Sequence, residues 1–215
     1  MNKLAIVIIG ALLCAACPPT TEEPRDPSPC SAYLPLNWNG ETMSIEGSHP
    51  DLAYVALDMT YKGIVKAGQD FDLFGLEERG TPQQGPPWKI TRTFACRDGR
   101  TEAVSLLDDC SFPEPMPLAW DDMSPGWTQA MDTTCEEFGW GLTGTMSVPD
   151  CDTRETPLGE FKTCAMRWEM QADFTPEDDT DATIPWSVQI SFAKGIGPIH
   201  WDSMVLTQSS LVDED

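Results

Sequence analysis

The stretch KTCAMRWEMQADF, residues 162–174, alternates without a break. One series reads Cys164, Met166, Trp168, Met170, Ala172 and Phe174, and the other Thr163, Ala165, Arg167, Glu169, Gln171 and Asp173. Successive residues of a strand point to opposite faces, so this pattern predicts a strand that is dry on one side and wet on the other. A helix turns only about 100° per residue and could not sort neighbours in this way. WSVQISF repeats the pattern, with Trp186, Val188, Ile190 and Phe192 opposite Ser187, Gln189 and Ser191. WKITRTFACRDGRTEAVSLL adds an alternating run, an Asp98-Gly99 hairpin turn and a return strand. Further strands are expected at Thr42–Glu46, Leu52–Tyr61, Phe71–Leu76, Trp127–Cys135, Gly141–Val148 and Ile199–Leu206. No stretch carries a helical stripe, and nineteen prolines discourage long helices. The expected class is all-β, predominantly antiparallel, with about ten strands. Trp88, Trp168 and Trp186 fall on dry faces and are expected in the core.

The chain begins Met1-Asn2-Lys3, followed by an apolar run from Leu4 to Leu13 broken only by Gly10. Such a run is too short to cross a bilayer but suits the apolar region of an export signal. Ala15 and Ala16 then precede Cys17. The sequence ALLCAAC resembles the bacterial lipoprotein signal, in which a small-residue pair precedes the cysteine that is diacylglycerated. Cys14 stands where leucine is usual and follows the bulky Leu13, which suits the modified position badly. The resemblance implies removal of residues 1–16, a lipid anchor on Cys17, and a protein tethered to a membrane of the cell envelope, whether periplasmic or surface-facing. An ordinary secretory signal cut nearby is the alternative. Residues 17–29 continue as a proline-rich, acidic tether, and a single domain is expected over 30–215.

Of thirteen basic residues one, Lys3, belongs to the leader, while all 35 acidic residues lie beyond it. A net charge of −22 argues against nucleic acid and anionic headgroups as partners. Outside the leader and the anchor stand six cysteines, Cys30, Cys96, Cys110, Cys135, Cys151 and Cys164. An even number in an exported chain reads as up to three disulfides. Cys96 and Cys110 flank the predicted hairpin, so this pair is expected first; nothing in the sequence pairs the other four. There is no Cys-x-x-Cys, and His49 and His200 are the only histidines, so neither structural zinc nor any cofactor is expected.

An internal echo suggests two repeated halves, 33–112 and 115–209. Leu34-Pro35-Leu36-Asn37-Trp38 matches Met116-Pro117-Leu118-Ala119-Trp120, and Phe94-Ala95-Cys96 with Gly99 matches Phe192-Ala193-Lys194 with Gly197. Gly195, Gly197 and Pro198 read as a sharp turn between two strands.

Three segments, YLPLNWNGETM, TPLGEFKTC and SFAKGIGPIHW, resemble motifs of exported bacterial lipoproteins of unknown function. Ile196 replaces the usual valine of the last motif, and Pro198 interrupts it. The resemblance implies a curved antiparallel sheet or half-open barrel, of the broad type used by periplasmic lipoprotein carriers, which the cysteines would staple. It implies no activity, because such architectures host several.

Catalytic motifs are absent: there is neither Gly-x-Ser-x-Gly nor His-Glu-x-x-His. Asp178, Asp179 and Asp181 form an acidic cluster that could take calcium, though without the pattern of a calcium loop. Trp38, Trp120, Trp127 and Trp140 lie near Gly, Pro or Asp, where an exposed ring could stack on a sugar or grip an acyl chain. The expected role is non-enzymatic binding or interaction at the envelope, with a hydrophobic, glycan or protein ligand. The alternatives are a carrier of an acyl chain and a hydrolase of envelope glycans. A deep apolar cavity would favour the carrier, an exposed row of tryptophans the glycan, and facing carboxylates the hydrolase.

Overall fold

A computed structural model describes residues 30–36, 38–49, 53–67, 72–107, 110–135, 140–174 and 182–212. The leader, Cys17, the tether and the cluster of Asp178, Asp179 and Asp181 lie outside the described residues, as do the side chains of Cys110, Cys135 and Trp140. All regular structure among the described residues is strand. In chain order these are β1 (Asn39–His49), β2 (Ala53–Lys66), β3 (Asp72–Pro82), β4 (Trp88–Arg97), β5 (Arg100–Leu107), β6 (Cys110–Trp120), β7 (Thr128–Cys135), β8 (Trp140–Ser147), β9 (Thr153–Thr156), β10 (Gly159–Phe174), β11 (Ala182–Ala193), β12 (Gly197–Trp201) and β13 (Met204–Ser209).

They form one curved antiparallel sheet in the order β6-β5-β4-β3-β2-β1-β13-β12-β11-β10-β8-β7, with β9 paired to β10 alone. The strands β1–β6 are one meander and β7–β13 another, joined where β1 pairs with β13. The two ends of the path, β6 and β7, are consecutive in the chain and approach each other without a ladder among the described pairings, so the barrel stays open along that seam.

Local chemistry explains most of these elements. Asp98 and Gly99 both have positive φ, 51° and 70°, as the tight turn between β4 and β5 requires. The expected strand Ile199–Leu206 is divided by a turn at Asp202, whose φ is 52°, so β12 and β13 are separate strands. β6 contains Pro113, Pro115 and Pro117, which cannot donate to a ladder, and it sits at an end of the path, where prolines are tolerated. The switch from one meander to the other falls at residues 121–127. The two Phe-Ala segments of the internal echo each end a strand, β4 and β11, and lead into a hairpin. The two Pro-Leu-x-Trp segments are placed differently: 34–38 precedes β1, whereas 116–120 ends β6.

Residues 30–36 span the end of the barrel that carries the Asp98-Gly99 turn. Ser31 N donates to Thr101 Oγ1 at 3.0 Å, Ala32 N to Asp121 Oδ1 at 2.6 Å, and Gly195 N to Ala32 O at 2.7 Å. Lys194 Nζ lies 4.9 Å from the centre of the Tyr33 ring, and Leu34 and Leu36 are buried. Turns of both meanders therefore hold this segment as a plug. Cys30 bonds to Cys96 and Cys151 to Cys164. The expected Cys96–Cys110 bridge is thereby excluded, and the ladder shows why. Cys96 lies opposite Thr101, and Cys110 opposite Leu107. Those partners are six residues apart along β5, about 20 Å in a strand, and a disulfide needs its Cα atoms within about 7 Å.

Tyr61 is fully buried and donates to Ile196 O at 2.9 Å, tying β2 to the β11–β12 turn. Burial pushes its phenol well above the usual range. Gly197 has φ +110°, and a Cβ there would run into the Tyr61 hydroxyl, so both backbone angle and space call for glycine.

Candidate functional site

The dry faces of the two meanders line a half-open cavity of about 140 Å³ above the plug. Leu34 of the plug, with Met59, Leu76, Phe94, Ala103 and Met116, lines the side of the first meander. Trp168, Met170, Val188, Ile190 and Phe192 line the second. The ladder places these wall residues side by side: Trp168 lies opposite Val188, and Met170 opposite Trp186. A cavity of this volume can hold a ligand about as large as benzene.

One ion pair interrupts the apolar wall. Glu78 Oε1 accepts from Arg92 Nε at 2.8 Å, and the two side chains are 4% and 28% exposed. Arg92 stands opposite Leu76 and so diagonal to Glu78 on the neighbouring strand, within reach of a long side chain. Burial raises the carboxyl of Glu78, and the Arg92 guanidinium opposes that shift. These two residues were missed by the sequence reading. Their signal is a charge in the dry phase of a strand: Glu78 follows Phe74 and Leu76 at steps of two, and Arg92 precedes Phe94 and Cys96.

The next residue shows the opposite electrostatics. Glu77 points to the outer face, where its carboxylate meets Arg79 at 2.8 Å, Lys89 at 3.1 Å and Lys62 at 3.2 Å. Hydrogen bonds from Arg79 and then Lys89 hold it at about 2, against an ordinary 4.5. A lowered carboxylate pKa adds stability that is complete above about pH 4.5 and lost as pH falls toward 2. Glu77→Gln should therefore be less stable than the native chain at pH 6, and the gap should close as the pH approaches 2. Urea melts across this range check the sign; a gap that does not change with pH would contradict it.

The predicted tryptophans separate. Trp168 is core, 4% exposed, and Trp88 is half-buried, packed over Gly80 where a Cβ would strike its ring. Trp186 is not core but 42% exposed, because the β10–β11 ladder carries it beyond the packed layers to the cavity mouth. Of the candidate ligand-binding tryptophans, Trp120 is buried and lies 4.5 Å from the half-buried Trp127 across the β6–β7 connection. Trp38 is packed edge-on against Tyr61 at 6.0 Å. None of these three lines the cavity. No cluster of metal-ligating side chains occurs among the described residues.

Fold and site together define a class: a half-open antiparallel barrel, plugged at one end, around an apolar cavity. Two crystal structures share this fold. One is a candidate lipoprotein from Parabacteroides distasonis, 10% identical, with a TM-score of 0.58 over 84% of this chain and 99% of that one. The other is a candidate exported protein with a YmcC-like fold from Bacteroides fragilis, 15% identical, with a TM-score of 0.55 over 84% of this chain and all of that one. At such identities the likeness is one of fold. Neither a known protein family nor a curated protein matches the chain in sequence.

Proposed function

We propose that the protein is an exported, lipid-anchored protein of the cell envelope that binds a hydrophobic ligand between its two meanders, without catalysis. The apolar cavity above the plug carries this reading. The leader ending Ala15-Ala16-Cys17 and the fold shared with a candidate lipoprotein and a candidate exported protein support the location. A two-carboxylate hydrolase needs a facing pair about 5–9.5 Å apart, and among the described residues the cavity wall carries one carboxylate, Glu78, already paired with Arg92. The packing of Trp38, Trp120 and Trp127 against the core supports a cavity ligand over a row of exposed sugar-stacking rings.

Calorimetric titration with 1-hexanol tests the proposal. Burying six carbons at about 0.8 kcal/mol each gives about 5 kcal/mol, a dissociation constant on the order of 0.1–1 mM. Ala103 is 6% exposed and its methyl faces the cavity. Ala103→Leu fills the space and should weaken binding at least about tenfold while the variant stays folded, a change worth about 1.4 kcal/mol. Equal binding by both proteins, or none by the native chain, would contradict the proposal.

A further inference from the structure

Among the described residues that line the cavity, Glu78 and Arg92 are the only charged ones. Along β4 the dry positions run from Cys96, bonded to the plug, through Phe94 and Arg92 to Ile90 and Trp88. Arg92 therefore stands farther from the plug than Phe94, toward the end where Trp186 is exposed. We infer that this pair is the head-group site of the cavity and that the ligand is an uncharged acyl compound, an ester or an amide, whose carbonyl oxygen accepts a hydrogen bond from Arg92. The inference rests on the cavity reading and adds the chemistry of the ligand's polar end.

Three observations carry it. The pair belongs to the cavity wall and has apolar strand neighbours: Leu76 lies opposite Arg92, and Met59 and Ile90 lie opposite Glu78. A buried ion pair is weak support for a fold, since apolar side chains of similar volume often serve as well or better. A few polar groups in an apolar cavity are, by contrast, the usual means of orienting a ligand. Next, the guanidinium is the accessible partner, its side chain 28% exposed against 4% for Glu78. A guanidinium carries five N–H donors and no acceptor, and Nε donates to Glu78 Oε1 at 2.8 Å. A wholly apolar ligand lying over this group would displace water from it and offer no acceptor in return, a cost that a carbonyl oxygen removes. Last, charge disfavours an ionic head. Glu78 already balances Arg92, so a carboxylate would bring an uncompensated negative charge among apolar side chains. The chain's net charge of −22 repels anions at longer range. An ammonium head would meet the donors of a group of its own sign.

Probes of six carbons separate the two claims, with calorimetry on the full chain. Benzene has no acceptor atom and reports the cavity alone; methyl pentanoate and hexanamide add a carbonyl. The double variant Glu78→Leu with Arg92→Met removes both charges and leaves no unpaired partner behind, a replacement that folds tolerate. It should weaken methyl pentanoate, hexanamide or both at least about fivefold, the loss of a hydrogen bond to a charged donor. Benzene affinity should change less than about twofold. A loss confined to one carbonyl probe supports the site and names the head as ester or amide. Unchanged binding of both carbonyl probes, or an equal loss for benzene, would overturn the head-group site and leave the cavity standing. Tighter binding of hexanoate or hexylammonium than of both carbonyl probes by the native chain would overturn the uncharged head. Failure of every probe would remove both readings.

Discussion

Removing the Cys30–Cys96 bridge, by Cys30→Ala with Cys96→Ala, should lower stability by about 4 kcal/mol in the chain-entropy account of disulfides. The bridge spans 66 residues, whereas Cys151–Cys164 spans 13 and should contribute about 3 kcal/mol. The longer loop is the source of the difference, since an open chain of that length loses more freedom when its ends are joined. The bridge also fastens the plug to β4, beside the bonds from Ser31, Ala32 and Gly195. Denaturant melts of both cysteine-pair variants check the order. A loss below about 1 kcal/mol for the Cys30–Cys96 pair would contradict its place as the main staple.

Trp168→Ala should cost about 3–5 kcal/mol, the range for deleting a large core aromatic. Trp168 is 4% exposed, lines the cavity and lies opposite Val188. The truncation would enlarge a space that already exists, which places the loss toward the upper part of that range. Arg167, its neighbour, is on the wet face as the alternation predicts, with a side chain 43% exposed. It is not idle there: Nε and Nη2 donate to Gln189 Oε1 at 2.9 and 2.6 Å. Arg167→Ala should therefore cost about 0.5–1.5 kcal/mol, a typical hydrogen-bond contribution. Comparable losses at the two positions would contradict the assignment of faces.

The fold was legible wherever one face of a strand is buried. β10, β11 and the β4–β5 hairpin follow directly from alternation and from Asp98-Gly99. β6 was not legible, because its three prolines read as loop unless the strand is known to lie at an end of the sheet. The disulfide was misread because nearness in sequence was taken for nearness in space. Cys30 meets Cys96 through the plug, a tertiary arrangement that no local pattern encodes.

The site was half legible. Alternation marks Trp168, Met170, Val188, Ile190 and Phe192 as dry, but it cannot tell a filled interior from one that leaves a cavity. Trp186 has the same phase yet lies near the mouth, since a dry phase fixes the face of a strand and not its depth along the barrel. Glu78 and Arg92 were visible only as breaks in two separate patterns, and the register that makes them diagonal neighbours comes from tertiary pairing.

The central claim, a ligand cavity between the meanders, is tested most directly by methyl spectra of methionine-labelled protein during a hexanol titration. Met59, Met116 and Met170 line the cavity, whereas Met123 and Met131 are buried elsewhere. The methyl signals of the first three should move together and saturate at one affinity, with those of Met123 and Met131 unchanged. Unmoved signals from Met59, Met116 and Met170 while hexanol binds, or equal movement of all five, would contradict it.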